Sequence, residues 1–89
     1  MPRMPIAIER ETKYNVAYVR YRADDPETCG RTVGYADYQI NVDLDENDGI
    51  VGIEILALGA EELAALADIA KKYDLDLSPL IGGTVPSAA

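Results

Sequence analysis

The stretch from Tyr38 to Leu56, YQINVDLDENDGIVGIEIL, constrains the fold of this chain more than any other. Successive strand side chains point to opposite faces of a sheet. Tyr38, Ile40, Val42 and Leu44 fall on one face, and Gln39, Asn41 and Asp43 on the other. Beyond a polar tip at 45–50, Val51, Ile53 and Ile55 alternate against Gly52 and Glu54. Pairing Leu44 with Val51, Val42 with Ile53 and Ile40 with Ile55 gathers every apolar side chain on one face, and a slip of one residue would invert the set. The spacing therefore predicts an antiparallel hairpin in that register. Asn47, Asp48 and Gly49 suit its tip because these residue types tolerate the positive φ of a tight turn.

Upstream, Ile6, Ile8 and Arg10 predict a short first strand, and a polar turn over 11–15 leads to a second at 16–22. There Ala17, Val19 and Tyr21 alternate against Tyr18, Arg20 and Arg22, with the first set assigned to the core. Residues 23–30 read as a loop from their Pro and Gly content, and 31–35 as a short extended piece before the main hairpin. After Leu56 the period changes from two to nearer four. Leu63, Leu66, Ala67, Ala70 and Tyr73 form a stripe at helical spacing, so 60–73 is predicted to be a helix packed on the sheet. Gly59 is its N-cap, Glu61 and Glu62 favour its first turn, and Lys71 and Lys72 favour its last. Leu75, Leu77, Leu80 and Ile81, followed by Gly82, Gly83 and Pro86, make an apolar but broken tail. The expected class is α+β: a small antiparallel sheet of three to four strands in a meander, packed by one C-terminal helix. Residues 1–73 form the domain and 74–89 an irregular tail.

Charge divides the chain unevenly. Residues 1–36 carry a net +1 and residues 37–89 a net −9, within a total of −8. Such a surface repels phosphate backbones, so direct nucleic-acid binding is not expected, whereas a basic protein partner fits it. No run approaches the ~20 apolar residues of a membrane span, and Met1–Pro5 lacks the apolar core of a secretory signal, so the expected location is the cytoplasm. With 89 residues the chain buries only roughly 60–65% of its unfolded surface, and self-association would add to its stability. Cys29, the single cysteine, cannot form an intramolecular disulfide and is assigned no role.

The segments 15–21 (NVAYVRY), 42–45 (VDLD) and 49–56 (GIVGIEIL) resemble the small bacterial YuzE-like family, a domain of unknown function. Its pattern runs roughly D-A-L-Y-I-R-L, then V-D-Y-D-x-x-G-x-V-V-G-I-E-I-L, and the likeness spans about Ile6 to Leu56. Asn15 stands where that family usually has Asp, Ala17 where it has Leu, and Asn47 and Asp48 lengthen the turn. The resemblance implies a compact antiparallel sheet and no established reaction. What the resemblance implies beyond the fold is an antitoxin-like or partner-binding role, as suspected for similar families.

Asp43, Asp45, Asn47, Ile50 and Glu54 occupy positions one, three, five, eight and twelve of a calcium-loop template. Gly49 falls at position seven instead of six, and the flanks alternate as strands where an EF-hand needs helices, so the expected state is a plain acidic turn. With no His and one Cys, zinc and redox-metal sites are not expected either, and no cofactor is implied. General acid–base and nucleophilic catalysis lack their usual His, Cys–His or Ser–His groups. The best remaining constellation is the non-core sheet face. The register sets Asn41 opposite Glu54 and Asp43 opposite Gly52, so Asp43 and Glu54 are diagonal neighbours, with a depression expected above Gly52. Tyr18 and Arg20 join them if the second strand pairs alongside. Two readings follow. One is a non-enzymatic protein-interaction module that forms a homo-oligomer, binds a protein partner, or both. The alternative is a small-molecule binder or hydrolase using Tyr18, Arg20, Asn41, Asp43 and Glu54.

Overall fold

The computed structural model describes residues 2–11, 13, 16–22 and 30–82, with the side chains of the last two excepted. Its strands are β1 (Ala7–Glu11), β2 (Val16–Arg20), β3 (Arg31–Tyr35), β4 (Ile40–Leu44) and β5 (Ile50–Ile55). They form one antiparallel sheet in the order β1-β2-β5-β4-β3. Helix α1 (Ala60–Tyr73) and the short α2 (Ser78–Gly82) follow. Asn15, the loop at 23–29 with Cys29, and the tail from Gly83 lie outside the described residues.

Two expectations are corrected here. The sheet has five strands and not three or four, because both short flanking pieces pair along their full length. It is also not a simple meander: β2 lies against β5, not against β3. The reason is apolar content. In β5 every residue except Glu54 is buried, so the strand needs a neighbour on each side, whereas β3 is exposed at Arg31 and Thr32 and takes an edge.

The hairpin register is as the alternation requires at four pairs: Ile40–Ile55, Asn41–Glu54, Val42–Ile53 and Asp43–Gly52. At the fifth, Leu44 pairs with Ile50 instead of Val51, and the register shifts between Asp43 and Leu44. Val51 is thus the extra residue of a bulge. Tyr38 is corrected too. It lies in the β3–β4 turn, where Ala36, Asp37 and Tyr38 all have positive φ (52°, 55° and 64°), and it is 72% exposed. That left-handed run ends the alternation two residues before β4 begins.

The core lies on one sheet face. Val19, Ile40, Val42, Leu44, Ile53 and Ile55, with Tyr21 and Ile50, meet Leu66 and Ile69 of α1. Helix α1 spans the predicted residues and has Gly59 as N-cap, whose amide donates to Glu62 Oε1 at 2.7 Å. Its buried stripe is rotated from the predicted one: Leu66 and Ile69 are buried, Ala65, Ala70 and Tyr73 pack beside them, and Leu63 and Ala67 are exposed. Ala67 falls about 100° round the helix from Leu66 and so leaves that line, whereas Leu63 lies on the same side as Ala70 but in the first turn of the helix, where it is 41% exposed. Asp74 ends the helix in a left-handed conformation (φ 55°), and the Leu75 amide donates back to Ala70 O at 2.8 Å.

The residues set apart as a tail contribute to this core, since Leu75, Leu77 and Leu80 are all buried in it. They are held from the other end of the chain. Arg3 and Leu75 form a parallel bridge, in which the Arg3 amide donates to Asp74 O and the Asp76 amide to Arg3 O, both at 2.8 Å. Arg3 Nη2 also donates to Tyr21 O at 3.0 Å, and its guanidinium lies 5.9 Å from the Tyr21 ring centre. Burial, and then the Asp76 charge, push the Tyr21 phenol up to about 12, with Arg3 partly opposing the shift.

Candidate functional site

The helices cover one face of the sheet, and the alternation of the strands sends a polar set to the other. Pairing lines this set up in two rows. Glu9, Tyr18, Glu54, Asn41 and Gly34 form one; Ala7, Arg20, Gly52, Asp43 and Thr32 form the other. All five residues expected from sequence, Tyr18, Arg20, Asn41, Asp43 and Glu54, therefore share this face. The condition attached to Tyr18 and Arg20 is met because β2 docks on β5, placing Tyr18 opposite Glu54 and Arg20 opposite Gly52.

Hydrogen bonds join most of the set. Asp43 is held from two strands: Tyr18 Oη donates to its Oδ2 at 2.9 Å and Thr32 Oγ1 to its Oδ1 at 2.7 Å. Arg20 donates to Glu9 Oε1 from Nη2 at 2.9 Å and from Nε at 3.2 Å, and its guanidinium lies 5.3 Å from the Tyr18 ring centre. Asn41 Nδ2 donates to Glu54 Oε1 at 3.2 Å and to Tyr38 O at 2.7 Å. The exposed Arg20–Glu9 ion pair is individually small, contributing about 0–1 kcal/mol. Together these contacts fix rotamers across all five strands.

Glu9 and Thr32 are members that sequence reasoning missed. Both come from edge strands, and only the pairing of β1 with β2 and of β3 with β4 reveals them. The depression expected above Gly52 is also corrected. The hydroxyl end of Tyr18 occupies that space, so a Cβ on Gly52 would overlap it. Gly52 thus admits the tyrosine whose hydroxyl reaches Asp43. The open depression lies further along β2, with a volume of about 390 Å³, lined by Glu9, Arg10, Glu11, Val16, Ala17, Tyr18 and Glu54. Its exposed carboxylates make it anionic, and Tyr18 forms part of its wall.

The carboxylates of the calcium-loop template do not converge. Asp43 points into the polar face, whereas Asp45 is turned onto the hairpin tip, where the amides of Asn47 and Gly49 each donate to its Oδ1 at 2.8 Å. Arg22 Nη1 binds its other oxygen, Oδ2. The two turn amides foremost, with Arg22 adding to them, hold the Asp45 carboxyl below the usual carboxylate range. Asp48, in the left-handed conformation (φ 62°), pairs with Arg31 at 2.9 Å. The tip is an Asx-type turn closed by Arg31 of β3 and by Arg22, two residues beyond β2. Among the described residues no cluster of three or more Asp, Glu, His or Cys could hold a metal ion, and no helix is long and apolar enough to cross a membrane.

A family model described as a protein of unknown function (DUF2283) matches residues 11–58. That stretch contains β2, β3, β4 and β5, which are four adjacent strands of the sheet, and all five expected site residues. No curated protein and no solved structure matches the chain.

Proposed function

We propose, for a chain that belongs to the DUF2283 family of proteins of unknown function, that it is a non-enzymatic protein-interaction module working as a homo-oligomer, against a basic protein partner, or both. One observation carries this reading. The acidic and amide groups of the polar face are engaged with one another, Asp43 accepting from Tyr18 and Thr32 and Glu54 from Asn41. A base that must take a substrate proton would first have to give up those donors, whereas a docking surface gains from side chains already held in place. The net −9 of residues 37–89 favours a basic partner, including a small toxin-like protein, and the YuzE-like resemblance belongs to the same proposal. We place its work in the cytoplasm.

Native mass spectrometry of the protein purified gently from its own host tests this reading. A defined homo-oligomer or a stoichiometric protein complex is expected. A lone monomer without any companion protein overturns it. The 390 Å³ depression favours a second reading, a binder or hydrolase of a small cationic molecule that uses Tyr18, Arg20, Asn41, Asp43 and Glu54. A monomer carrying an extra small mass would support that alternative. Asp43→Asn and Glu54→Gln should then abolish retention of that mass while leaving the fold intact, and retention by both variants would refute it.

A further inference from the structure

The two outer edges of the sheet differ in what a second copy of the chain would meet there, and we propose that two copies join through β3, antiparallel and centred on Val33. This deepens the homo-oligomer reading above and rests on it. A two-fold axis through an antiparallel strand pair sets each residue opposite its mirror in the strand order.

On β1, full overlap puts Glu9 opposite Glu9, and Ile8 opposite Arg10. Like charges directly opposed are destabilising, and a charged edge of this kind resists pairing. On β3, full overlap puts Val33 opposite Val33, Thr32 opposite Gly34, and Arg31 opposite Tyr35. An apolar pair sits at the centre and small residues flank it. At each end Arg31 of one copy lies opposite Tyr35 of the other. No like charges meet.

The register is also bounded. Sliding the copies toward the β3–β4 turn would require Ala36 and Asp37 to be extended, but their φ values are 52° and 55°. Sliding the other way leaves Tyr35 without a β3 residue opposite it. The core gives β3 a further reason to pair. Val33 and Tyr35 pack onto the core cluster from this edge while staying only half buried, whereas the matching core-side positions of β1 are Ile8 and the exposed Arg10. Among the described residues β3 pairs with β4 alone. A second copy would continue the sheet to ten strands, carry the apolar layer across the join, and make the two polar faces one surface. A five-residue edge is a small contact, so the dimer is expected to depend on concentration.

Sedimentation of the full chain over a concentration series, with circular dichroism to verify folding, tests the proposal. The wild type is expected to pass from monomer to dimer, and Val33→Lys, which opposes two ammonium groups at the two-fold, to weaken association roughly tenfold or more. In a Cys29→Ser background, Val33→Cys should form a disulfide-linked dimer on mild oxidation. Thr32→Cys, which would face Gly34 of the other copy, should not. This pair decides the matter even if Val33→Lys fails to fold. A folded Val33→Lys that dimerises like the wild type, or equal crosslinking of both cysteine variants, overturns the β3 interface and leaves the interaction-module reading standing. A wild type that stays monomeric but in complex with another protein does the same. A wild type that is monomeric and without companion overturns both.

Discussion

Leu80→Ala should destabilise this protein severely although Leu80 lies beyond the principal helix. Leu80 is 1% exposed and belongs to the same cluster as Ile53, Ile55, Leu66 and Ile69. Truncating it removes three buried carbons, about 2.4 kcal/mol at roughly 0.8 kcal/mol each. The residual cavity adds to this, bringing the expected loss to about 2.5–4 kcal/mol. Against a total stability of roughly 4–13 kcal/mol for a chain of this size, that is a large fraction. Leu63→Ala is the matched control: the same chemical change within α1, at a side chain 41% exposed, should cost no more than about 0.5–1 kcal/mol. Urea unfolding followed by circular dichroism reads both, as a drop in midpoint at unchanged slope. In a thermal scan Leu80→Ala should melt about 10–30 °C lower than wild type, given roughly 4–8 °C per kcal/mol at this size. If the two variants unfold together, the packing of the C-terminal segment on the sheet, and the helix face assigned to the core, are both refuted.

Gly52→Ala should lose about 1–2 kcal/mol in urea melts, because the new methyl displaces Tyr18 from Asp43; in a Tyr18→Ala background the same change should become neutral or stabilising, and equal losses in both backgrounds would refute the clash. Asp45 has a folded-state pKa below its unfolded one, so its charge stabilises the fold above about pH 4 and that contribution disappears as pH falls through the folded value. The stability gap between wild type and Asp45→Asn, measured by urea melts across pH, should thus be widest near neutrality and close in acid; a gap that widens in acid contradicts the turn geometry. Asp74→Gly should raise stability by about 0.5–1 kcal/mol, since a left-handed residue and a carboxylate at a helix C-terminus are both unfavourable there. A lower melting temperature for that variant would refute this account of the cap.

The parts of the fold legible in sequence were those set by local periodicity. Alternation placed four of five pairs in the β4–β5 hairpin and all five expected site residues on one face. It failed at Leu44 because Ile50 and Val51 are adjacent β-branched residues, and nothing local says which of them opposes Leu44. It failed at Tyr38 because Ala36, Asp37 and Tyr38 include no glycine or asparagine to signal a left-handed turn. The α1 boundaries followed from Gly59 and the flanking charges, but omitting Ile69 rotated the assigned face. Strand order was out of reach, since pairing Ala17 with Ile55 is a long-range event with no local signature. Glu9, Thr32 and the filling of the Gly52 space depend on that order, and so they were missed with it.

The central position of β5 also shapes how the chain gets to its fold. The β4–β5 hairpin closes over a short tip and forms early, and β3 can zip onto β4 through its own short turn. The join between β2 and β5 has to wait for a much larger loop to close, which slows it. Until then β5 is itself an edge strand, exposing the backbone beside Ile53 and Ile55. A chain whose β3, β4 and β5 had paired before β2 arrived would present that edge to its own kind. Refolding yield becomes a matter of crowding as much as of native stability, and the hairpin β1–β2 acts within the same chain as a guard that arrives late.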